Sequence, residues 1–279
     1  QIGGNLVVFG WGHCCNYQNY IQGAGVDTIN FPSLQSISGD ITLQTLSDLD
    51  YLNFDTLSSV NNISISYGSQ PSNSQILNIS TFNNLQTVNN IMIQSTRIDT
   101  ISGFQNLISV QDLTIDDNDE LTVITGFTNV SSLNSLTVTS NNQLQICCVL
   151  YDLIQLTTGT VNINGNGGVC DDPQAIANSC GITFCGLPGQ LTIISNQPDL
   201  DNIMGCTDFY GDLHIQDQQS SSTFTNIDLP NLKTIEGFLT ISNPNTDISF
   251  DSLTQIGGNL VVFGWGHCCN YQNYIQGAG

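Results

Sequence analysis

Two stretches of the sequence hold enough carboxylates for acid–base or metal chemistry: the pair Asp171–Asp172 and the run Asp116–Asp117–Asn118–Asp119–Glu120. Paired carboxylates could divide the general-acid and general-base roles of glycoside hydrolysis. Clustered carboxylate and carbonyl oxygens suit calcium. Neither reading goes far. An acidic sugar needs cations to hold it, and Arg97 and Lys233 are the only Lys or Arg residues. The run lacks the spacing of an EF-hand loop. Asp116, Asp117, Asp119 and Glu120 therefore form a weak calcium candidate beside the plainer reading of a solvated acidic turn. His13, Cys14 and Cys15 suggest a metal, but zinc usually takes four ligands and adjacent residues converge on one ion only with distortion. Disulfide chemistry is the better reading of those cysteines. No nucleophile elbow, phosphate loop or HExxH motif occurs. The chain reads as a non-enzyme with no cofactor.

Composition narrows the setting. The 23 acidic residues against two basic ones give a formal charge of −21. Only Glu120 and Glu236 are Glu, so the acidity is almost all Asp, a turn former rather than a helix former. A nucleic-acid backbone or an anionic membrane surface would repel such a chain. No apolar run approaches the roughly 18 residues that suggest a spanning helix. Ten cysteines suggest an oxidising compartment. Three N-glycosylation sequons begin at Asn62, Asn78 and Asn129. Asn62 and Asn129 each adjoin an inward apolar residue, which points them outward. Asn78 falls in a long insertion, where a glycan would clash least.

What positions these residues is a repeat. Residues 1–25, QIGGNLVVFGWGHCCNYQNYIQGAG, recur without change at 255–279, an offset of 254. The chain reads as one full period of a tandem array plus the start of the next copy; the alternative is a single protein with two copies of one hairpin.

Within that period a looser pattern recurs, F/L-x-x-L/V-x-x-I/V/L followed by I/L-x-I/V/L. Phe54, Leu57, Val60, Ile63 and Ile65 make one example; Phe104, Leu107, Val110, Leu113 and Ile115 make another. The final piece alternates with period two, as a half-buried strand must. Strand starts fall at 6, 41, 63, 91, 113, 136, 161, 191, 213 and 239, and return at 260. That is ten rungs per period, each about 25 residues and too short to close a core alone, so neighbours must stack. Asn118, Asn142, Asn196 and Asn243 punctuate the coils as corners, because Asn tolerates left-handed geometry. Abundant Gly and β-branched residues, with few Ala, Lys and Glu, argue against helices.

The motif F-x-x-L-x-x-I-x-G-x-L-x-I resembles the receptor L domain, a relative of leucine-rich repeats. The resemblance implies an all-β, right-handed parallel β-helix. Cys185 through LTIISNQPDLDNIMGC to Cys206 resembles such a domain's opening, and NNQLQICC through Cys170 and Cys180 its close. Residues 1–184 would then be the C-terminal part of one unit and 185–279 the N-terminal part of the next. The resemblance implies that Cys185 bonds Cys206 and that Cys147 and Cys148 pair with Cys170 and Cys180, in an order left open. Cys14 and Cys15 remain, either as a vicinal disulfide or as a link to another copy. Gly10–Gly25 departs from the family by lengthening its rung to 35 residues.

Two functions fit this reading. One is an extracellular or cell-surface filament or stalk, whose partners are identical units joined head to tail and N-glycans at the sequons, with no nucleic acid and no membrane insertion. The other is a ligand- or glycan-binding receptor or adhesin module, with Trp11, Tyr17 and Tyr20 as its contacts.

Overall fold

A computed structural model describes residues 1–9, 20–22, 26–44, 49–66, 77–217, 223–242 and 247–263. They form parallel strands stacked coil on coil, the architecture of a β-solenoid, with about 10 % helix. The chain divides into two compact units, Gln1–Cys180 and Gly181–Gly279.

In the first unit the main sheet runs, in spatial order, through Val161–Asn164, Ser132–Thr139, Ser109–Asp116, Thr87–Gln94, Asn62–Ser66, Ile41–Gln44, Leu6–Phe9 and Tyr20–Gln22. Register follows the sequence pattern. Leu6, Ile41, Ile63, Ile91, Leu113 and Leu136 pair in one row, and Val8, Leu43, Ile65, Ile93, Ile115 and Val138 in a second. Both rows are buried, while the residues between them, such as Thr42, Ser64 and Thr114, face outward. A one-residue slip would expose every member of a row, which fixes the pairing.

Behind that sheet, Phe31, Phe54, Phe82, Phe104 and Phe127 stack with ring centroids 4.9 to 5.3 Å apart. The spacing is close to that between neighbouring strands, so one ring per coil builds a continuous aromatic column. Phe82, Phe104 and Phe127 sit at φ of 61° to 68°, in the left-handed region a bulky residue normally avoids. Close approach of the coils holds them there: a Cβ on Gly103 would lie 2.1 Å from the Thr81 carbonyl oxygen.

The corners differ in detail from the sequence reading. The left-handed positions belong to Ser95, Asp117, Ser140 and Gly165, each one residue before a buried polar side chain. Those side chains, Thr96, Asn118, Asn141 and Asn166, form a ladder. Asn118 Nδ2 donates to Asn141 Oδ1 at 3.0 Å, and Asn141 Nδ2 donates to Asn166 Oδ1 at 2.9 Å. Asn118 is therefore a ladder member rather than the left-handed residue. The next rung of the ladder is Asn141 and not Asn142, which is exposed. Asn196 is a helix cap, accepting from Asp199 N at 3.0 Å. Asn243 lies outside the described residues.

Three helices were not expected: Val149–Leu156, Pro173–Ser179 and Gln197–Asn202. The first buries Leu150, Leu153 and Ile154 on one side, a spacing of three and four that satisfies a helix stripe.

In the second unit Gly186–Ile194, Asp208–Gln216, Leu239–Ser242 and Leu260–Phe263 form the main sheet. The strand starting at 191 is shifted by one residue from the expected inward placement. Thr192 pairs with Leu213 and Ile194 with Ile215, so Leu191 and Ile193 point outward, 57 % and 52 % exposed. The register shifts between Gly186 and Leu191, and Gly186 and Gly189 both have positive φ. From Gly186 to Leu191 this strand takes five residue steps where its neighbour, from Tyr210 to Asp212, takes two; the three extra residues are an odd number and so turn the rest of the strand over.

Candidate functional site

The acidic run fans out rather than converging. Asp116 faces outward and accepts from Gln94 Nε2 at 2.9 Å. Asp117 occupies a corner and accepts from Ser95 Oγ at 2.8 Å. Asp119 is exposed, and Glu120 lies 3.6 Å from Arg97 in an ion pair. Among the described residues no three His, Cys, Asp or Glu side chains are placed to hold a metal ion. Asp171 and Asp172 both serve the backbone. Asp171 accepts from Asn166 N at 2.9 Å and so terminates the Asn ladder; Asp172 accepts from Ala175 N at 2.8 Å and caps the helix Pro173–Ser179.

Two other titratable groups respond to their surroundings. The Thr234 and then the Thr207 hydroxyl, both donating to Asp208, hold its carboxyl below the usual carboxylate range. Partial burial lowers the pKa of His214, whose Nε2 lies 2.9 Å from Ser242 Oγ on the outer sheet face.

Six cysteines form disulfides: Cys147–Cys170, Cys148–Cys180 and Cys185–Cys206. The first two fix the order that the sequence left open. Together they fasten the helices Val149–Leu156 and Pro173–Ser179 at the end of the first unit. Cys185–Cys206, with 5.7 Å between Cα atoms, closes a loop at the start of the second. In the chain-entropy picture a loop of that size contributes about 3 kcal/mol. A Cys185→Ser/Cys206→Ser variant should lose about that much stability, read as an earlier urea midpoint; an unchanged midpoint would show that the bond adds nothing.

The sequons differ in how far their amides are occupied. Asn62 is half-buried on the outer face; its Nδ2 donates to Asp40 Oδ1 at 2.7 Å and its Oδ1 accepts from the Asn90 backbone N–H at 3.2 Å. Asn129 is exposed and donates to the Gln105 carbonyl at 2.6 Å. Asn78 is exposed and lies in the strand Leu77–Ile79 rather than in an insertion. A glycan on Asn62 would break its inter-coil bonds. Peptide mapping of a glycosylated product should find Asn78 or Asn129 occupied before Asn62; a glycan on Asn62 alone would reverse this order.

Trp11, His13, Cys14, Cys15, Tyr17, Cys268 and Cys269 lie outside the described residues, as does the side chain of Tyr20.

One feature with functional content was not foreseen in this form: how the duplicated strand is paired. Gln1–Phe9 and Gln255–Phe263 are the same nine residues. In the second unit Leu260–Phe263 pairs with Leu239–Ser242, and Leu239 N donates to the Asn259 carbonyl at 3.0 Å. In the first unit Leu6–Phe9 pairs with Ile41–Gln44, and Leu6 N donates to the Asp40 carbonyl at 2.8 Å. Asn259 is the counterpart of Asn5. Its carbonyl and the following Leu N–H belong to one trans peptide and so point in opposite directions. The two units therefore use opposite edges of one strand. A second peptide gives the same result. Gly257 N donates to the Ile235 carbonyl at 2.8 Å, whereas Ser38 N donates to the carbonyl of Ile2, the counterpart of Ile256, at 3.0 Å.

No known protein family, curated protein or solved structure matches the chain.

Proposed function

We propose that the chain is one period of an extracellular filament or surface stalk built from head-to-tail β-solenoid repeats. The observation that carries this reading is the pairing of the duplicated strand. A single copy of it can accept Leu239–Ser242 on one edge and Ile41–Gln44 on the other, each in the register already observed. In a tandem array the strand would join the two parts of a period into one continuous sheet, with no edge left open at the seam. The inward residues also match across it: Leu239 and Ile241, then Leu6 and Val8, then Ile41 and Leu43.

Several features support the reading. Three disulfides suit an oxidising compartment, and among the described residues no helix is long and apolar enough to cross a membrane. Identical repeats create identical heterologous contacts, which extend without closing. Gly181–Phe184, four residues between Cys180 and Cys185, is short for a flexible linker. The L-domain-like motif fits a stack of parallel coils; in this reading its role is mechanical, giving reach and stiffness.

The gene sequence flanking residues 1–279 tests this directly. Further copies at a period of 254 are the expected result. A few dissimilar domains followed by a membrane helix would instead favour a receptor.

A further inference from the structure

Two Asn–Gly pairs, Asn164–Gly165 and Asn166–Gly167, stand side by side at the end of the strand Val161–Asn164. In such a pair the glycine nitrogen can attack the asparagine side-chain amide, because no Cβ on the following residue stands in its way. Whether it does so depends on how firmly the fold holds both groups. These two pairs are held very differently.

Asn166 is fixed at every atom that the reaction would move. It is 8 % exposed. Its Nδ2 donates to the Val138 carbonyl at 2.8 Å, and its Oδ1 accepts from Asn141 N at 3.1 Å and Asn141 Nδ2 at 2.9 Å. The attacking nitrogen is held as well, since Gly167 N donates to the Asn141 carbonyl at 3.0 Å. A Cβ on Gly167 would lie 2.1 Å from the Leu144 carbonyl oxygen, so the backbone there has no room to turn. Reaction at Asn166 requires the buried ladder to open.

Asn164 is exposed on the outer face. Its Nδ2 donates to Asn162 Oδ1 at 2.5 Å, and Asn162 is itself exposed. The Asn164 carbonyl accepts from Ser140 N at 3.1 Å. The N–H of the same trans peptide, that of Gly165, therefore points away from Ser132–Thr139 and takes no part in that pairing. Gly165 is exposed at φ 67°, and the nearest atom to a Cβ there, Ser140 N, would be 3.4 Å away. Turning this peptide disturbs the strand only at its last residue, where opening is least costly.

We propose that Asn164 is a site of spontaneous deamidation, and that the ladder protects Asn166 two residues on. The Gly165 nitrogen, losing its proton to hydroxide, attacks the Asn164 side-chain carbonyl carbon. A carbon–nitrogen bond forms, the Cγ–Nδ2 bond breaks, and Nδ2 leaves as ammonia with a proton taken from water. The cyclic succinimide that remains is opened by water at either carbonyl, giving aspartate or its isoaspartyl isomer. No oxidant or reductant takes part. Asn164 ends the outward row Gln94, Asp116, Thr139 and Asn164, so either product adds a carboxylate to that face. The isoaspartyl form also adds a backbone atom just before the corner that leads into the ladder. The change runs one way and accumulates with time.

Peptide mapping of the aged protein tests this. The whole chain, with its disulfides intact, is held in mildly alkaline buffer, then reduced and digested with pepsin at acid pH, where the reaction stops. Fragment masses place each gain of one mass unit. Asn164 should convert at least tenfold faster than Asn166, and faster as pH rises, because the attacking nitrogen must lose its proton. In urea with the disulfides reduced, both should convert at similar rates. Asn164→Gln, at an exposed position, should remove the mass gain while Asn166 stays intact. The proposal is overturned if folded Asn164 is still intact when the unfolded chain has fully converted. It is equally overturned if the folded chain shows a smaller than tenfold difference between the two residues, since the ladder would then give no protection of the kind argued.

Discussion

Replacing Phe104 with Ala is expected to lower the stability of the first unit by about 3–5 kcal/mol, the usual loss for a fully buried aromatic truncated to Ala. Phe104 lies in the middle of the aromatic column, 5.1 Å from Phe82 and 4.9 Å from Phe127, with no exposure to solvent. Its neighbours cannot collapse into the void, because each is fixed by its own coil at the strand spacing. Urea denaturation of the intact chain, read alongside protection of the Leu107 amide from exchange, would show the loss. Ile108→Ala, four residues on but 46 % exposed, should change stability by no more than about 0.5 kcal/mol. If the two variants behaved alike, the column would not be a structural element.

Asn141→Ala should be comparably damaging although it removes only a few polar atoms. Asn141 has no exposed surface. Its Oδ1 accepts from Asn118 N at 3.1 Å and Asn118 Nδ2 at 3.0 Å, and its Nδ2 donates to the Ile115 carbonyl at 3.0 Å. Truncation leaves those groups buried without that partner, at about 1–3 kcal/mol each. The comparison variant is Asn142→Ala, at an exposed neighbour, where no measurable loss is expected. Equal effects at 141 and 142 would refute the ladder.

The strand cores were legible in the sequence because period-two alternation depends only on which face is buried. Leu113 and Ile115 in one coil, and Leu136 and Val138 in the next, could be placed inward before any coordinates. The strand near 191 was misplaced because alternation fixes a face only up to a one-residue slip. The slip there depends on the positive φ of Gly186 and Gly189 rather than on hydrophobicity. The corners were half legible. Asn at about 25-residue spacing marks the corners, but that Asn118 and Asn141 form a buried ladder, with Asn142 outside it, depends on the left-handed residue before each, Asp117 and Ser140. The helices at the end of the first unit are not legible in composition, because Gly and β-branched content averaged over the chain masks a local stripe at Leu150, Leu153 and Ile154.

The candidate chemistry was less legible than the fold. Asp171 and Asp172 look like an acid–base pair in sequence, yet one closes the Asn ladder and the other caps a helix, roles that depend on neighbours distant in the pattern. The seam was visible as 25 repeated residues, but the use of opposite edges is a property of hydrogen-bond direction and emerges only from the paired strands.

The central claim is that the solenoid runs unbroken through every seam, and the axial repeat of native or covalently repeated material tests it most directly. Ten strands per period at roughly 4.8 Å give about 48 Å along the fibre. Electron microscopy of single particles should show a straight rod with that periodicity, constant from copy to copy. A spacing above about 65 Å, well beyond what the strand separation allows for ten strands, or one that varies along a particle, would contradict the account, since copies would then be beads on a string rather than a continuous stack.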